Sequence, residues 1–189
     1  FRSDNLEFDA WDYSYFFPTM VSMFPKGSDA LLMGLGGGTI VHQYNRLGFN
    51  IDVIEIDERI KETAINYFGI SPETNIIIDD ARRYINICEK KYDVITFDVF
   101  LNETPPAQVL SVESFRKVKE MLNPNGLVTL NYFGHTDGEK GLSARSILRT
   151  LKEVGFEVEI VSPPSESASS RNIIFLASNG SKDFSQIDY

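Results

Sequence analysis

Hydrophobic and polar positions along the chain follow two periods, one typical of buried strands and the other of amphipathic helices. Seven short apolar runs predict strands at residues 30–33, 51–56, 76–78, 92–97, 127–132, 156–161 and 172–177. Apolar residues at helical spacing predict helices at residues 40–47, 57–68, 80–88, 108–122 and 143–154. Strands and helices therefore alternate along the chain until the last two strands.

This order predicts an α/β fold with a seven-stranded, mostly parallel sheet and helices on both faces. No helix separates the last two strands, so we expect them to pair antiparallel in a closing hairpin. The stretch 13–24 is rich in aromatic residues and methionine and predicts a further helix packed on the sheet. We assign residues 13–178 to one domain, 1–12 to the remnant of an N-terminal segment and 179–189 to a tail.

Composition excludes several classes of protein. A chain of 189 residues is long enough for one domain with its own core, and a single cysteine excludes a disulfide scaffold. Two histidines and one cysteine are too few for a zinc site of the Cys/His type, so we expect no metal. The net charge of −9 argues against nucleic acid as a partner.

Glycines follow the first predicted strand in the pattern Gly34-x-Gly36-x-Gly38. Glycine allows the backbone to turn tightly and to approach a ligand closely. The dinucleotide fingerprint would place its third glycine at position 39, where the chain has Thr39. The spacing therefore favours an adenosine-type ligand without a pyrophosphate, although such runs also occur as plain turns.

Carboxylates follow the next three strands at the edge where open parallel sheets bind ligands. Glu55 could accept both ribose hydroxyls, or it could be a solvated charge at a strand end. Asp80 could accept a hydrogen bond from the exocyclic amine of a base, could cap the next helix, or could do both, and Ala81 leaves room for the ring. Asp98 follows the fourth strand, and we expect its carboxylate at the centre of the site.

Together these signals resemble the class I S-adenosylmethionine-dependent methyltransferase fold, which is Rossmann-like. Within that fold the chain is similar to the spermidine/spermine synthase family, in particular to divergent bacterial members. The resemblance covers residues 12–178 and is carried by the motifs Leu35-Gly36-Gly37-Gly38, Val53-Ile54-Glu55-Ile56-Asp57, the run from Tyr92 to Asp98, Asp12-Tyr13-Ser14-Tyr15 and Glu113-Ser114-Phe115.

The resemblance implies a role for each matching residue. Glu55 would hold the ribose and Asp80 the adenine amino group, while Gly34, Gly36 and Gly38 would line the thioether and ribose. Asp98 would be the catalytic carboxylate, and Tyr15 would position the attacking amine. The implied reaction moves an aminopropyl group from decarboxylated S-adenosylmethionine to a small-molecule amine and releases methylthioadenosine.

The amine half of the site departs from the family pattern. Gly37 and Leu101 stand where the polyamine synthases carry acids that bind the amine. Glu103 could replace one of these acids, and Phe100 offers an aromatic face for a cationic chain. Three functions stay open: aminopropyl transfer, methyl transfer from S-adenosylmethionine to a small acceptor, and non-catalytic nucleotide binding.

The resemblance also implies partners and a location. It suggests a homodimer and, as in some divergent bacterial members, attachment to a membrane region. The cysteine usage indicates a reducing compartment, so we expect the protein in the cytoplasm or on the cytoplasmic side of a membrane. The chain begins with Phe1 rather than Met, which would suit a domain excised from such a protein.

Overall fold

One seven-stranded sheet organises the chain. The computed structural model describes residues 14, 16–100, 106–162 and 171–180. The strands are β1 (Asp29–Met33), β2 (Asn50–Glu55), β3 (Asn75–Ile78), β4 (Tyr92–Phe97), β5 (Leu122–Gly134), β6 (Glu157–Val161) and β7 (Arg171–Ser178). The helices are α1 (Phe16–Val21), α2 (Thr39–Leu47), α3 (Glu58–Tyr67), α4 (Ala81–Ile87), α5 (Val112–Met121) and α6 (Leu142–Glu153). In these ranges no helix combines the length and apolar character needed to cross a bilayer.

The strand order is β3-β2-β1-β4-β5-β7-β6. The pairs from β3 to β5 are parallel, and β7 runs antiparallel to both β5 and β6. The predicted mostly parallel sheet with an antiparallel closing hairpin is therefore confirmed. Since β1 lies between β2 and β4, the residues that follow these three strands are neighbours at one edge.

Two hydrophobic cores cover the two faces of the sheet. Helices α1, α2 and α3 pack on one face, where Phe17, Tyr44 and Ala64 are buried against Leu32 and Val94. Helices α4, α5 and α6 pack on the opposite face. Side chains alternate between the faces along a strand, so a central strand such as β1 must be apolar at consecutive positions.

The segment 122–126 differs from its prediction. The sequence Asn123-Pro124-Asn125-Gly126 predicts a turn before a strand that begins at residue 127, whereas β5 begins at Leu122. Tyr92 pairs with Leu122 and Val94 pairs with Leu127, so three extra residues of β5 bulge out of the ladder. The turn-forming residues are therefore accommodated inside the strand, because both of its flanks still find partners on β4.

The helix predicted at 108–122 is also shorter, and α5 begins at Val112. The Ser111 hydroxyl accepts a hydrogen bond from the backbone N–H of Ser114 at 3.2 Å and caps the helix. The four residues before the cap form turns, and two of them, Gln108 and Val109, line the cavity at the end of β4.

A buried polar cluster lies towards the opposite end of β2. The Asp52 carboxylate accepts hydrogen bonds from Asn75 Nδ2 at 2.7 Å, Tyr92 Oη at 2.8 Å and Lys90 Nζ at 2.9 Å. Burial disfavours ionisation of Asp52, but these hydrogen bonds outweigh it and lower its pKa.

We predict that Asp52→Asn lowers the free energy of unfolding by about 1–3 kcal/mol at pH 7. Because the folded-state pKa is lowered, the contribution of Asp52 is present above the unfolded carboxyl pKa of about 3.9 and is lost as the pH falls. Urea denaturation from pH 7 to pH 3 should show the difference between wild type and variant shrinking below about pH 4.

Asp29→Asn is the matched control. Asp29 pairs with the same Lys90 at 3.4 Å, but its side chain is 38% exposed, against 12% for Asp52. The control should therefore change stability much less. Equal losses in both variants would contradict the role assigned to the buried cluster.

Candidate active site

A cleft of about 440 Å³ opens at the edge of the sheet where β1, β2, β3 and β4 end. Its lining includes these residues from the sequence prediction: Gly34, Gly36, Glu55, Asp80, Ala81, Asp98 and Phe100. Residues from four separate strand ends therefore meet around one cavity. Tyr15 and Glu103 lie outside the described residues.

Gly38 is placed differently from the other two glycines. It precedes α2 as the N-cap residue with φ +83° and is absent from the lining of the cleft. A Cβ atom at this position would lie 2.4 Å from Cδ1 of Ile70. Gly38 therefore allows α2 to pack closely on the segment after α3, while Gly34 and Gly36 face the cavity.

Hydrogen bonds of the sheet continue just past the strand ends. Gly34 N donates to Ile54 O at 2.8 Å, Asp98 N donates to Met33 O at 2.9 Å, and Asp79 N donates to Glu55 O at 3.0 Å. The backbone at the mouth of the cleft is thereby fixed by the same ladder that holds the strands.

Gly34 lies where the ends of β1 and β4 approach each other closely. Its φ is +91°, in the left-handed region that glycine adopts readily. A Cβ atom at this position would lie 2.4 Å from the carbonyl oxygen of Asp98. The absence of a side chain here allows the ends of β1 and β4 to meet at the cleft.

The Glu55 carboxylate is buried and oriented by backbone donors. Oε2 accepts a hydrogen bond from Leu35 N at 3.0 Å, and Oε1 accepts one from Asp57 N at 3.0 Å. A carboxylate has about four acceptor positions, so each oxygen can accept one further hydrogen bond. This arrangement suits a ligand with two adjacent hydroxyls; the ribose role of Glu55 stays a prediction.

Asp80 caps α4. Its Oδ1 accepts a hydrogen bond from Arg83 N at 2.9 Å, which is the helix-cap alternative of the sequence interpretation. Asp79 accepts from Asp80 N at 2.8 Å and pairs with the guanidinium of Arg83. Ala81 is buried directly after the cap. Asp80 still lines the cleft, so capping and ligand binding are compatible at this residue.

Asp98 has a partner that the sequence interpretation missed. Asn131 Nδ2, on β5, donates a hydrogen bond to Asp98 Oδ1 at 3.0 Å. Asn131 is fully buried, although it lies in a strand that is otherwise mostly apolar. A buried amide within such a strand is the signal that could have identified it. Gln108, which also lines the cleft, gives no comparable signal in the sequence.

The charge in the cleft is of one sign. Glu55, Asp79, Asp80 and Asp98 are among the described residues that line it, and those residues include no lysine, arginine or histidine. Asp79 is paired with Arg83, and the other three carboxylates around the cavity favour a cationic ligand. Groups of three or more side chains suited to hold a metal ion are absent from the described part of the chain.

A family model described as "Spermine/spermidine synthase domain" matches residues 17–186. The chain belongs to the spermine/spermidine synthase family. The resemblance identified from the strand-end motifs is thereby confirmed.

Curated relatives include both kinds of transferase. A probable polyamine aminopropyl transferase of Bifidobacterium longum is 33% identical over 120 residues, which cover 62% of this chain and 27% of that protein. An N-terminal histidine N-methyltransferase of Emericella nidulans is 32% identical over 133 residues, which cover 68% of this chain and 23% of that protein. The matches thus span about a quarter of the length of these two relatives.

Solved structures confirm the methyltransferase-like fold. A probable spermidine synthase from Corynebacterium glutamicum superposes with a TM-score of 0.80 at 24% identity, covering 96% of this chain and 68% of that chain. Human methyltransferase-like protein 13 in complex with SAH superposes with a TM-score of 0.71 at 27% identity, covering 88% and 77%. The fold of this spermine/spermidine synthase family member is therefore shared with methyltransferases.

We predict that Gly34→Ala destabilises the protein more than Gly27→Ala. Gly27 has nearly the same φ, +89°, but a Cβ atom there would meet nothing within 4 Å. Both variants carry the backbone strain, while only Gly34→Ala adds overpacking against Asp98, which we expect to cost a further 1–3 kcal/mol or so. Urea denaturation measures the difference, and equal losses would show that the close approach at Asp98 is unimportant.

Proposed function

We propose that the chain transfers an aminopropyl group from decarboxylated S-adenosylmethionine to a small amine, with release of methylthioadenosine. Family membership supports the general class of transferase. The observation that carries the finer proposal is the charge of the cleft, in which carboxylates surround the cavity and the described lining has no cationic side chain.

The charge of the cleft favours the decarboxylated donor over intact S-adenosylmethionine. The decarboxylated donor carries a sulfonium and an ammonium group, and both are attracted by the carboxylates. Intact S-adenosylmethionine adds a carboxylate, which would be repelled by Glu55, Asp80 and Asp98 unless a cation or an array of donors compensated it. Neither the adenosine moiety nor the sulfonium distinguishes the two donors, so the discrimination depends on this one group.

In the proposed reaction the lone pair of a neutral amine attacks the carbon of the aminopropyl group that is bonded to the sulfonium sulfur. A C–N bond forms, the C–S bond breaks, and its electron pair returns to sulfur, so that methylthioadenosine leaves without charge. Alignment of the two reactants can lower the barrier by about 7–11 kcal/mol. Asp98 would orient the amine and take its proton, an effect of about 10²–10⁴ in rate.

The residues near Asp98 support this assignment. Asp98 follows β4 in the middle of the sheet, beside Gly34, which follows β1, and its side chain is half-buried at the cleft. Phe100 lines the same cavity with an aromatic face that suits a cationic aliphatic chain. The polyamine synthases carry an amine-binding acid at the position of Leu101. We propose that Glu103 takes over the role of this acid.

Methyl transfer from S-adenosylmethionine is the second candidate. The relative in Emericella nidulans and the human structure, both named as methyltransferases, are similar to this chain at 32% and 27% identity. Both reactions need the adenosine half of the cleft, with Glu55 and Asp80. They differ in whether the site tolerates the carboxylate of the donor.

We expect decarboxylated S-adenosylmethionine to bind at least about tenfold more tightly than the intact donor, a difference of about 1.4 kcal/mol. Isothermal titration calorimetry with each donor and with methylthioadenosine measures it. Methylthioadenosine lacks the charged side chain and serves as the reference for the adenosine half. Tighter binding of intact S-adenosylmethionine would favour the methyltransferase.

We predict that Asp98→Asn lowers the rate of methylthioadenosine release by about 10²–10⁴, because the amide cannot take the proton of the amine. The assay combines decarboxylated S-adenosylmethionine with putrescine, cadaverine or spermidine. The variant should still bind methylthioadenosine, since the adenosine half is unchanged. Glu55→Gln is the converse control, and we expect it to weaken methylthioadenosine binding. Absence of release by wild type with any amine would contradict the proposal.

A further inference from the structure

Asn131 is one of four side chains in the described residues that bury a polar atom without a hydrogen-bond partner. The others are Gln43, Arg82 and Ser114. Asn131 differs from these because its amide also binds an acid of the cleft, Asp98. A buried acceptor without a donor lowers stability, so such a group calls for a functional explanation.

The orientation of the Asn131 amide follows from its partner. An ionised carboxylate can only accept hydrogen bonds, so the NH₂ group must face Asp98. The amide oxygen is then turned away, and no donor in the described part of the chain reaches it. An apolar side chain of similar size would avoid this penalty but would also lose the hydrogen bond to Asp98. The amide is therefore kept at a cost to stability.

The two residues differ in rigidity. Phe97 pairs with Leu130 across β4 and β5, so Asp98 and Asn131 come next in register and share one face. Two residues earlier on that face, Thr129 Oγ1 donates to Thr96 Oγ1 at 2.9 Å. Asn131 is fully buried inside β5, which is paired on both sides, whereas Asp98 lies beyond the end of β4 and is half-buried. Asn131 is thus held rigidly by the sheet and can orient the carboxylate of Asp98, which lies beyond the end of its strand.

We propose that Asn131 is a positioning residue that fixes the orientation of the Asp98 carboxylate towards the attacking group of the acceptor. The proposal deepens the proposed function and rests on it, since it takes Asp98 as the group that orients the acceptor. Asn131 itself acts through Asp98 and does not line the cleft.

Two isosteric variants test the proposal. Asn131→Leu removes both the hydrogen bond and the unpaired oxygen. We expect it to fold with undiminished stability, to bind methylthioadenosine as wild type does, and to lose about 10²-fold in kcat through misorientation of Asp98. Asn131→Asp places a second carboxylate about 3 Å from Asp98, so that the pair retains a proton to higher pH. We expect the acid limb of its kcat profile to move to higher pH.

The pH readout is specific to position 131. Among the described residues, the other ionisable groups near Asp98 or in its cleft are Tyr44 on α2, Glu55 on β2, Asp79 after β3 and Asp80 before α4. They are the same in all variants, so a shift between variants reports the change at position 131. Thr129→Val is the matched control because it alters the same face of β5 without touching Asp98; we expect it to keep the kcat and pH profile of wild type.

The outcomes separate this proposal from the proposed function. A wild-type kcat in Asn131→Leu, or an unmoved acid limb in Asn131→Asp if the leucine variant does not fold, would overturn the role of Asn131 alone. If wild type transfers methyl groups instead, the same variants are compared in that reaction. If it transfers neither group, the proposed function fails.

The contact between Asn131 and Asp98 can then be tested by carboxyl ¹³C NMR, which follows the titration of Asp98. A higher titration midpoint of Asp98 in Asn131→Leu than in wild type supports the contact, and an unchanged midpoint overturns it.

Discussion

The close approach of Gly34 to the carbonyl of Asp98 is the constraint on which the site depends. A Cβ atom at residue 34 would lie 2.4 Å from that carbonyl oxygen, so the ends of β1 and β4 can meet only around a glycine. Gly34 also donates to Ile54 O on β2, and Asp98 donates to Met33 O on β1. This one contact therefore links Glu55, which is proposed to bind the adenosine, to Asp98, which is proposed to act on the amine.

The cleft concentrates negative charge without a cationic side chain in its described lining, and local donors make this possible. Backbone N–H groups of Leu35 and Asp57 hold Glu55, the N-terminal turn of α4 holds Asp80, and the amide of Asn131 holds Asp98. Neutral donors stabilise carboxylates while leaving their charge uncompensated. The cavity therefore keeps its attraction for a cation. This electrostatic pattern is the physical basis of the proposed preference for a donor that has lost its own carboxylate.

The sequence predicted the elements well where the cues were local. Apolar runs predicted the strands, and Asp80 is the N-cap of α4, which is one of the alternatives that its position after a strand suggested. The prediction was wrong where pairing outweighed local preference: the segment 122–126 has the residues of a turn but bulges within β5, since its flanks pair with β4. Gly38 matches the glycine motif, yet in the structure the absence of its side chain makes room for Ile70.

By itself, the sequence determined the number, order and approximate positions of the strands and that the closing hairpin is antiparallel. Burial periodicity and the absence of a crossover helix can both be recognised within short windows of sequence. Only the tertiary structure decided which strand ends meet. Pairing of β4 between β1 and β5 brings Asp98 to Gly34, which is 64 positions earlier, and to Asn131, 33 positions later. Such contacts arise from packing between distant segments, and no local pattern of residues encodes them.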